Sequence, residues 1–227
     1  MSAALRLVLF DVDGTLVDSQ GDIVASMTAA FGALGHPVPP RDAVLGIVGL
    51  SLPEAMARLA PGLGPDIHAQ MVAAYKDSYV ALRATKGVAS SPLYPGALAA
   101  LQALAGRDDV LLGVATGKSR RGLDALFDSH GLRGTFVTEQ VADHHPSKPH
   151  PSMVLTAMAE TGVEPRDTVV IGDTVFDMEM AQAAGVHGIG VGWGYHPRTQ
   201  LQARAASVID GFDALPAALD RIWGAGA

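Results

Sequence analysis

The sequence predicts an α/β protein: a parallel sheet covered by helices on both faces, with an all-helical insertion after the first strand. Three observations carry this. Apolar runs of strand length recur along the chain, and several end abruptly in a carboxylate or a threonine. Helical patterns separate these runs, which is the rhythm of βαβ units and a buried parallel sheet. One long block near the N-terminus, from about residue 18 to 90, breaks the rhythm and contains helical patterns only.

The first strand is Leu7-Val8-Leu9-Phe10, followed by Asp11-Val12-Asp13-Gly14-Thr15. A short apolar run bounded by a turn signal reads as a buried strand. In open α/β sheets, ligands bind beyond the carboxyl ends of the strands. Residues i and i+2 of extended chain point the same way, so Asp11 and Asp13 are expected to serve one site. Two such charges repel by about 1 kcal/mol in water and several times more where water is excluded. A cation between them, or a proton on one of them, resolves that conflict.

The helical block follows, with patterns over Ile23 to Leu34, Pro53 to Leu59 and Asp66 to Ala84, punctuated by Pro and Gly. Ser90-Ser91-Pro92-Leu93-Tyr94-Pro95-Gly96 reads as the return linker, with Pro95 suited to the first turn of the next helix. The linkers near 15–19 and 87–94 suit a hinge, and a mobile lid over the strand ends would exclude water. Further strands are expected at Val110 to Ala115, Asp167 to Ile171, Gly188 to Val191 and, more weakly, Ser207 to Ile209. Helices are expected at Ala97 to Ala105, Ser119 to Asp128, Ser152 to Glu160, Val175 to Ala184 and Phe212 to Ile222.

Three later segments bear on the same crevice. In Val114-Ala115-Thr116-Gly117-Lys118-Ser119 a strand gives way to a helix. The Thr116 hydroxyl, the Gly117 amide and the helix N-terminus would form an anion site, although a strand-ending turn capped by Ser119 explains the segment equally. Lys118 is expected to point outward. In His145-Pro146-Ser147-Lys148-Pro149-His150-Pro151 the prolines hold Lys148 extended, so that its charge can stand beside the carboxylates. No carboxylate spacing supports a metal site at His144, His145 or His150. In Gly172-Asp173-Thr174-Val175-Phe176-Asp177 another strand ends in an aspartate, with a second one four residues on. Asp11, Asp13, Asp173 and Asp177 are expected to form a four-carboxylate cluster, for which magnesium, a hard cation that prefers oxygen ligands, is the natural occupant.

Composition narrows the partners. The 227 residues include 48% hydrophobic and 17% charged residues, with a net charge of −7. That fits a filled globular core, and without a basic run it argues against nucleic acid or an anionic membrane as partner. There is no cysteine, which excludes disulfides, thiolate metal sites and cysteine nucleophiles. No apolar stretch approaches the roughly 20 residues that span a bilayer, and the start of the chain lacks a signal-peptide pattern. A cytoplasmic monomer or homodimer is the expectation.

In order and context, Asp11-Val12-Asp13-Gly14-Thr15, Thr116-Gly117, Lys148-Pro149 and Gly172-Asp173-Thr174-x-x-Asp177 resemble the motif set of the haloacid dehalogenase-like (HAD) superfamily. Val17-Asp18-Ser19 and the helical block resemble its phosphoglycolate phosphatase-like branch. The resemblance implies a Rossmann-like parallel sheet core (1–17 and 88–227) with an inserted helical cap (18–87). It implies a phosphatase in which Asp11 is the nucleophile and Asp13 the general acid and base. Gly14, Thr116, Gly117 and Lys148 would hold the phosphoryl group. Magnesium would be bound by Asp11, by Asp13 through its backbone carbonyl, by Asp173, and by Asp177 through water. Dehalogenase members lack an acid at the position of Asp13, because a halide leaves without a proton. The substrate is expected to be a small phosphorylated metabolite, 2-phosphoglycolate by resemblance. A pyrophosphatase or a sugar-phosphate phosphatase or phosphomutase on the same scaffold is the alternative, although Ser19-Gln20-Gly21 shows no His or Lys suited to a mutase. A silent phosphate-binding module would be expected to have lost a member of the motif set. Specificity falls to the cap loop Gly46 to Glu54, which offers backbone amides and Ser51. Arg58 and Arg83 are expected to be solvated. Trp193-Gly194-Tyr195-His196 would either line the entrance or pack.

Overall fold

The structure is a computed structural model that describes residues 4–224; the chain ends 1–3 and 225–227, which the expected core segments include, lie outside it. Six parallel strands form one sheet in the order β3-β2-β1-β4-β5-β6. They are β1 (Arg6–Phe10), β2 (Val110–Thr116), β3 (Thr138–Val141), β4 (Thr168–Gly172), β5 (His187–Val191) and β6 (Ser207–Ile209). Four helices form the insertion that follows β1: α1 (Gln20–Ala33), α2 (Arg41–Leu45), α3 (Leu52–Leu59) and α4 (Pro65–Lys86). The remaining helices are α5 (Ala97–Ala105), α6 (Arg120–His130), α7 (Ser152–Thr161), α8 (Val175–Ala183), α9 (Arg198–Gln202) and α10 (Leu215–Gly224).

The alternation of side chains along a strand divides the core. Val8 and Phe10 of β1 pack on one face with residues of α5, α6 and α10. Leu7 and Leu9 pack on the other with residues of α7 and α8. This two-sided burial is why β1 reads as an unbroken apolar run. A third cluster, with Met27, Phe31, Met56, Met71 and Tyr75 at its centre, belongs to the helices between β1 and β2.

The two linkers run side by side. Val17 bridges Leu93 antiparallel, the Asp18 amide donates to the Pro92 carbonyl at 2.9 Å, and the Tyr94 amide to the Leu16 carbonyl at 2.9 Å. Buried Asp22 on α1 accepts from Lys86 and Ser90 at the far end of the insertion. Among the described residues no helix is long and apolar enough to cross a membrane.

Several elements depart from the sequence expectation, which named neither the short helices α2 and α9 nor the edge strand β3. Strand β3, Thr-Glu-Gln-Val, was not foreseen, because an edge strand paired only to β2 needs no apolar run. The expected helix from Phe212 to Ile222 is a short 3-10 turn (Phe212–Ala214) followed by α10.

Candidate active site

Four strand ends and the loop before α7 meet at one edge of the sheet. Lys148, from that loop, is fully buried. Its Nζ donates to Asp11 Oδ1 at 2.7 Å and to Asp177 Oδ1 at 2.6 Å. Asp177 Oδ2 accepts from the Thr174 amide at 3.0 Å and hydroxyl at 2.6 Å, and the Asp177 amide donates back to Thr174 Oγ at 3.4 Å, which closes the capping box of α8. Both Asp177 oxygens are therefore engaged. Asp173 accepts from the Thr15 hydroxyl at 3.0 Å and the Tyr195 amide at 2.8 Å.

Glycines make room for this carboxylate. A Cβ on Gly14, which has φ +88°, would lie 2.2 Å from Asp173 Oδ2. The Gly14 amide donates to the Val17 carbonyl at 2.9 Å, which corrects its expected role: it closes the turn, and its amide is directed there instead of to a phosphate.

The carboxylate set is also smaller than expected. Oxygens of Asp11, Asp173 and Asp177 lie within 4.8 Å of one another, and all three residues are buried. Asp13 is not in that group. Strand β1 ends at Phe10, so the i, i+2 geometry lapses and the Asp13 carboxylate swings to Lys118 Nζ, 2.8 Å away, and to the Ser19 hydroxyl. Of the roles expected for Asp13 in metal binding, only the one through its backbone carbonyl is left.

Lys118 corrects a second expectation. Its side chain is 9% exposed, and it turns inward to bond the Tyr79 hydroxyl of α4 at 3.2 Å with its Nζ 4.9 Å from the Tyr79 ring centroid. Burial pulls its pKa down, but Asp13 and Tyr79 outweigh that and hold it above the ordinary lysine value. Lys148 behaves alike: burial lowers its pKa, and Asp11 with Asp177 raises it beyond recovery.

The acidic trio is under-compensated. Burial first, then Asp177 and Asp13, push the Asp11 pKa up to about 7 against the pull of Lys148. Burial and the charges of Asp11 and Asp177 raise Asp173 well above the carboxylate range. Asp11 Oδ2 is buried and has no hydrogen-bond partner among the described residues. Three carboxylates against one ammonium, an all-oxygen donor set and an orphaned oxygen fit a hard divalent cation.

Thr116 is buried, and its Oγ accepts from the Lys118 amide at 3.2 Å. Gly117 is where the helical insertion touches the core: a Cβ there would meet the Gly49 and Leu50 carbonyls at 2.7 and 2.8 Å. The same loop is tied by the Ser51 amide to Ser147 Oγ at 2.9 Å. His196 links it too, accepting at Nδ1 from the Val175 amide (3.1 Å) and reaching the Gly46 carbonyl from Nε2 (3.1 Å). Burial lowers the His196 pKa, in keeping with a neutral ring that donates through Nε2. Gly117→Ala is expected to cost about 1–3 kcal/mol, because both opposing atoms are backbone. An unchanged urea midpoint would show that the loop yields freely.

Arg83, expected to be solvated, reaches from α4 to the Gly122 carbonyl (3.2 Å) and Ser129 Oγ (3.4 Å). Arg58 stays half-exposed in a pair with Glu54. Trp193 packs with Tyr94 and Phe212 and donates to the Thr15 carbonyl at 3.1 Å, so the packing reading holds. Tyr195 of the same segment sits with its hydroxyl 3.1 Å from Ser19 Oγ, at the sheet edge where the segment was expected. His145 bonds Ser152 and Gln140, away from the carboxylates.

The profile of the haloacid dehalogenase-like hydrolase family matches residues 8–191. The chain is 36% identical over 207 residues to a protein of Dickeya dadantii named "Probable phosphatase IndB", covering 89% of this chain and 88% of that one. It is 33% identical over 215 residues to the phosphoglycolate phosphatase of Pseudomonas putida, covering 92% and 78%. In fold it matches the crystal structure of a hydrolase from Pseudomonas syringae with a TM-score of 0.84, at 23% identity and covering 96% and 99% of the two chains. The chain belongs to the haloacid dehalogenase-like hydrolases, among members named as phosphatases.

Proposed function

We propose that this protein is a magnesium-dependent phosphatase that hydrolyses a small phosphate monoester through an aspartyl-phosphate on Asp11. The observation that carries the reading is the division of the Asp11 carboxylate: Oδ1 is fixed by Lys148, while Oδ2 is buried and accepts from none of the described residues. A carboxylate oxygen held ready in this way is a nucleophile for phosphorus. Its attack forms the Asp11 O–P bond and breaks the bond from phosphorus to the alcohol oxygen. Asp13, on the same turn, gives its proton to the departing alkoxide. It then takes a proton from the water that attacks the aspartyl-phosphate, releasing inorganic phosphate and regenerating Asp11.

Lys148, the Thr116 hydroxyl and the Gly117 amide hold the phosphoryl oxygens, and the positioning of charge is most of what phosphoryl transfer requires. Magnesium would be held by Asp11, Asp173 and the Asp13 carbonyl, and by Asp177 through water, since both Asp177 oxygens already have partners. When bound, it neutralises the carboxylates and the transferring group. Residues 18–87 act as a cap over the core formed by 1–17 and 88–227, shielding the reaction from water.

Two relatives from Pseudomonas named as phosphoglycolate phosphatases make 2-phosphoglycolate the reference substrate. Release of phosphate from an aryl phosphate is expected with magnesium, to fall at least about 100-fold on chelation, and to return when magnesium is restored. Hydrolysis indifferent to chelation would overturn the reading.

A further inference from the structure

The carboxylates do not face a pocket of the size and chemistry that glycolate requires. A cavity of about 470 Å³ extends from Asp11 and Asp13 outward between α4 and α6. That is within the range of about 300–1,000 Å³ in which proteins bury drug-sized ligands. Phosphoglycolate is a phosphate on a two-carbon acid and would leave most of this volume wet.

The walls beyond the carboxylates are mainly apolar. Met27, Ile47, Leu50, Leu52, Tyr75 and Val80 contribute to them from α1, the cap loop, α3 and α4. Tyr75 stacks with Tyr79, ring centroids 5.9 Å apart, so that wall carries two aromatic side chains. Four cations line the cavity among the described residues: Lys76 and Arg121 are exposed to solvent, and Lys118 and Arg83 already have partners. Lys118 is bound to Asp13 and Tyr79, and Arg83 is bound to Gly122 and Ser129. A carboxylate would compete with Asp13 for Lys118, and Asp13 is the group the reaction needs in place. An apolar alcohol disturbs neither pair and removes wall and ligand surface from water together.

Resting on the phosphatase reading above, the geometry points to a phosphate monoester whose alcohol carries an extended apolar or aromatic body, in preference to 2-phosphoglycolate. The phosphate sits at Asp11 and the alcohol oxygen at Asp13. The organic body lies along the Tyr75–Tyr79 wall under the cap loop. Apolar residues at these cap positions therefore serve specificity as well as packing.

The test is a series of n-alkyl phosphates, ethyl, butyl and hexyl, whose leaving alcohols are similarly basic, assayed with magnesium beside 2-phosphoglycolate. Burial of a methylene is worth about fourfold at most, so kcat/KM is expected to rise about two- to fourfold per added carbon, with hexyl phosphate above 2-phosphoglycolate. Val80→Asp, a charge at a wall position that is 43% exposed, is expected to flatten that rise. A flat or falling series, or 2-phosphoglycolate ahead of hexyl phosphate, overturns this inference and leaves the phosphatase reading intact. Hydrolysis of no ester in the set overturns the reading beneath it.

Discussion

Asp11→Asn is expected to lower kcat/KM by at least about 10⁴-fold, the scale on which enzymes lose activity when a covalent nucleophile is removed, and to leave the fold intact. An amide can still accept the hydrogen bond from Lys148, but it cannot attack phosphorus. The substitution removes one of three clustered, buried carboxylates and keeps the pair between Lys148 and Asp177. Its effect on stability should therefore be neutral or favourable when magnesium is chelated, since it removes a buried charge that desolvation and the neighbouring Asp177 and Asp13 disfavour. Thermal unfolding in chelator, run beside the kinetic assay, separates the two effects. Near-native turnover in a folded Asp11→Asn protein would remove the nucleophile from the proposed mechanism.

What could be read from the sequence was local. An apolar run closed by a carboxylate names both the strand and the side of the sheet on which its end lies, so the positions of Asp11, Thr116 and Asp173 followed from neighbours in the chain. The direction in which a side chain turns did not follow. Lys118 sits on an ordinary-looking turn, and its inward course depends on Tyr79, 39 residues away, and on Asp13, released from strand geometry. Arg83 lies on a long helix with little amphipathic pattern, and only the docking of α4 beside α6 gives it partners. Tyr195 and His196 follow β5 and reach Ser19 and Gly46 solely because the chain folds back over the first turn.

The same reason hid the cavity. Met27 and Tyr75 belong to the apolar cluster of the helical insertion, and by spacing they are indistinguishable from core. Some of that cluster faces the carboxylates across empty space, which periodicity cannot express. The edge strand β3 was missed for the opposite reason: Thr138 and Gln140 are buried but polar, satisfied by Glu160 and one another, so no apolar signal marked them.

Lys148→Met is expected to be among the most destabilising single changes in the chain. The Lys148 ammonium is fully buried and is the cation that Asp11 and Asp177 share. Breaking a buried ion pair by removing one partner costs about 3–5 kcal/mol, because the other charge is left uncompensated. Here two carboxylates lose their partner and Asp173 stands beside them. At about 2–4 °C per kcal/mol for a domain of this size, the unfolding midpoint in chelator should fall by about 6–20 °C. Magnesium should then restore more stability to the variant than it adds to the parent, because the cation becomes the sole counter-charge of the trio. Ligand binding to the folded state alone supplies about 2.7 kcal/mol at 100 times its dissociation constant, enough to recover much of the loss. Asp177→Asn in the Lys148→Met background removes one of the stranded charges and should regain part of the midpoint without metal. That makes the pair strongly non-additive in a double-mutant cycle. Additive losses, or a Lys148→Met midpoint within a degree or two of the parent in chelator, would mean that the trio is not held as repelling charges, and the electrostatic case for a divalent cation at Asp11, Asp173 and Asp177 would fail with it.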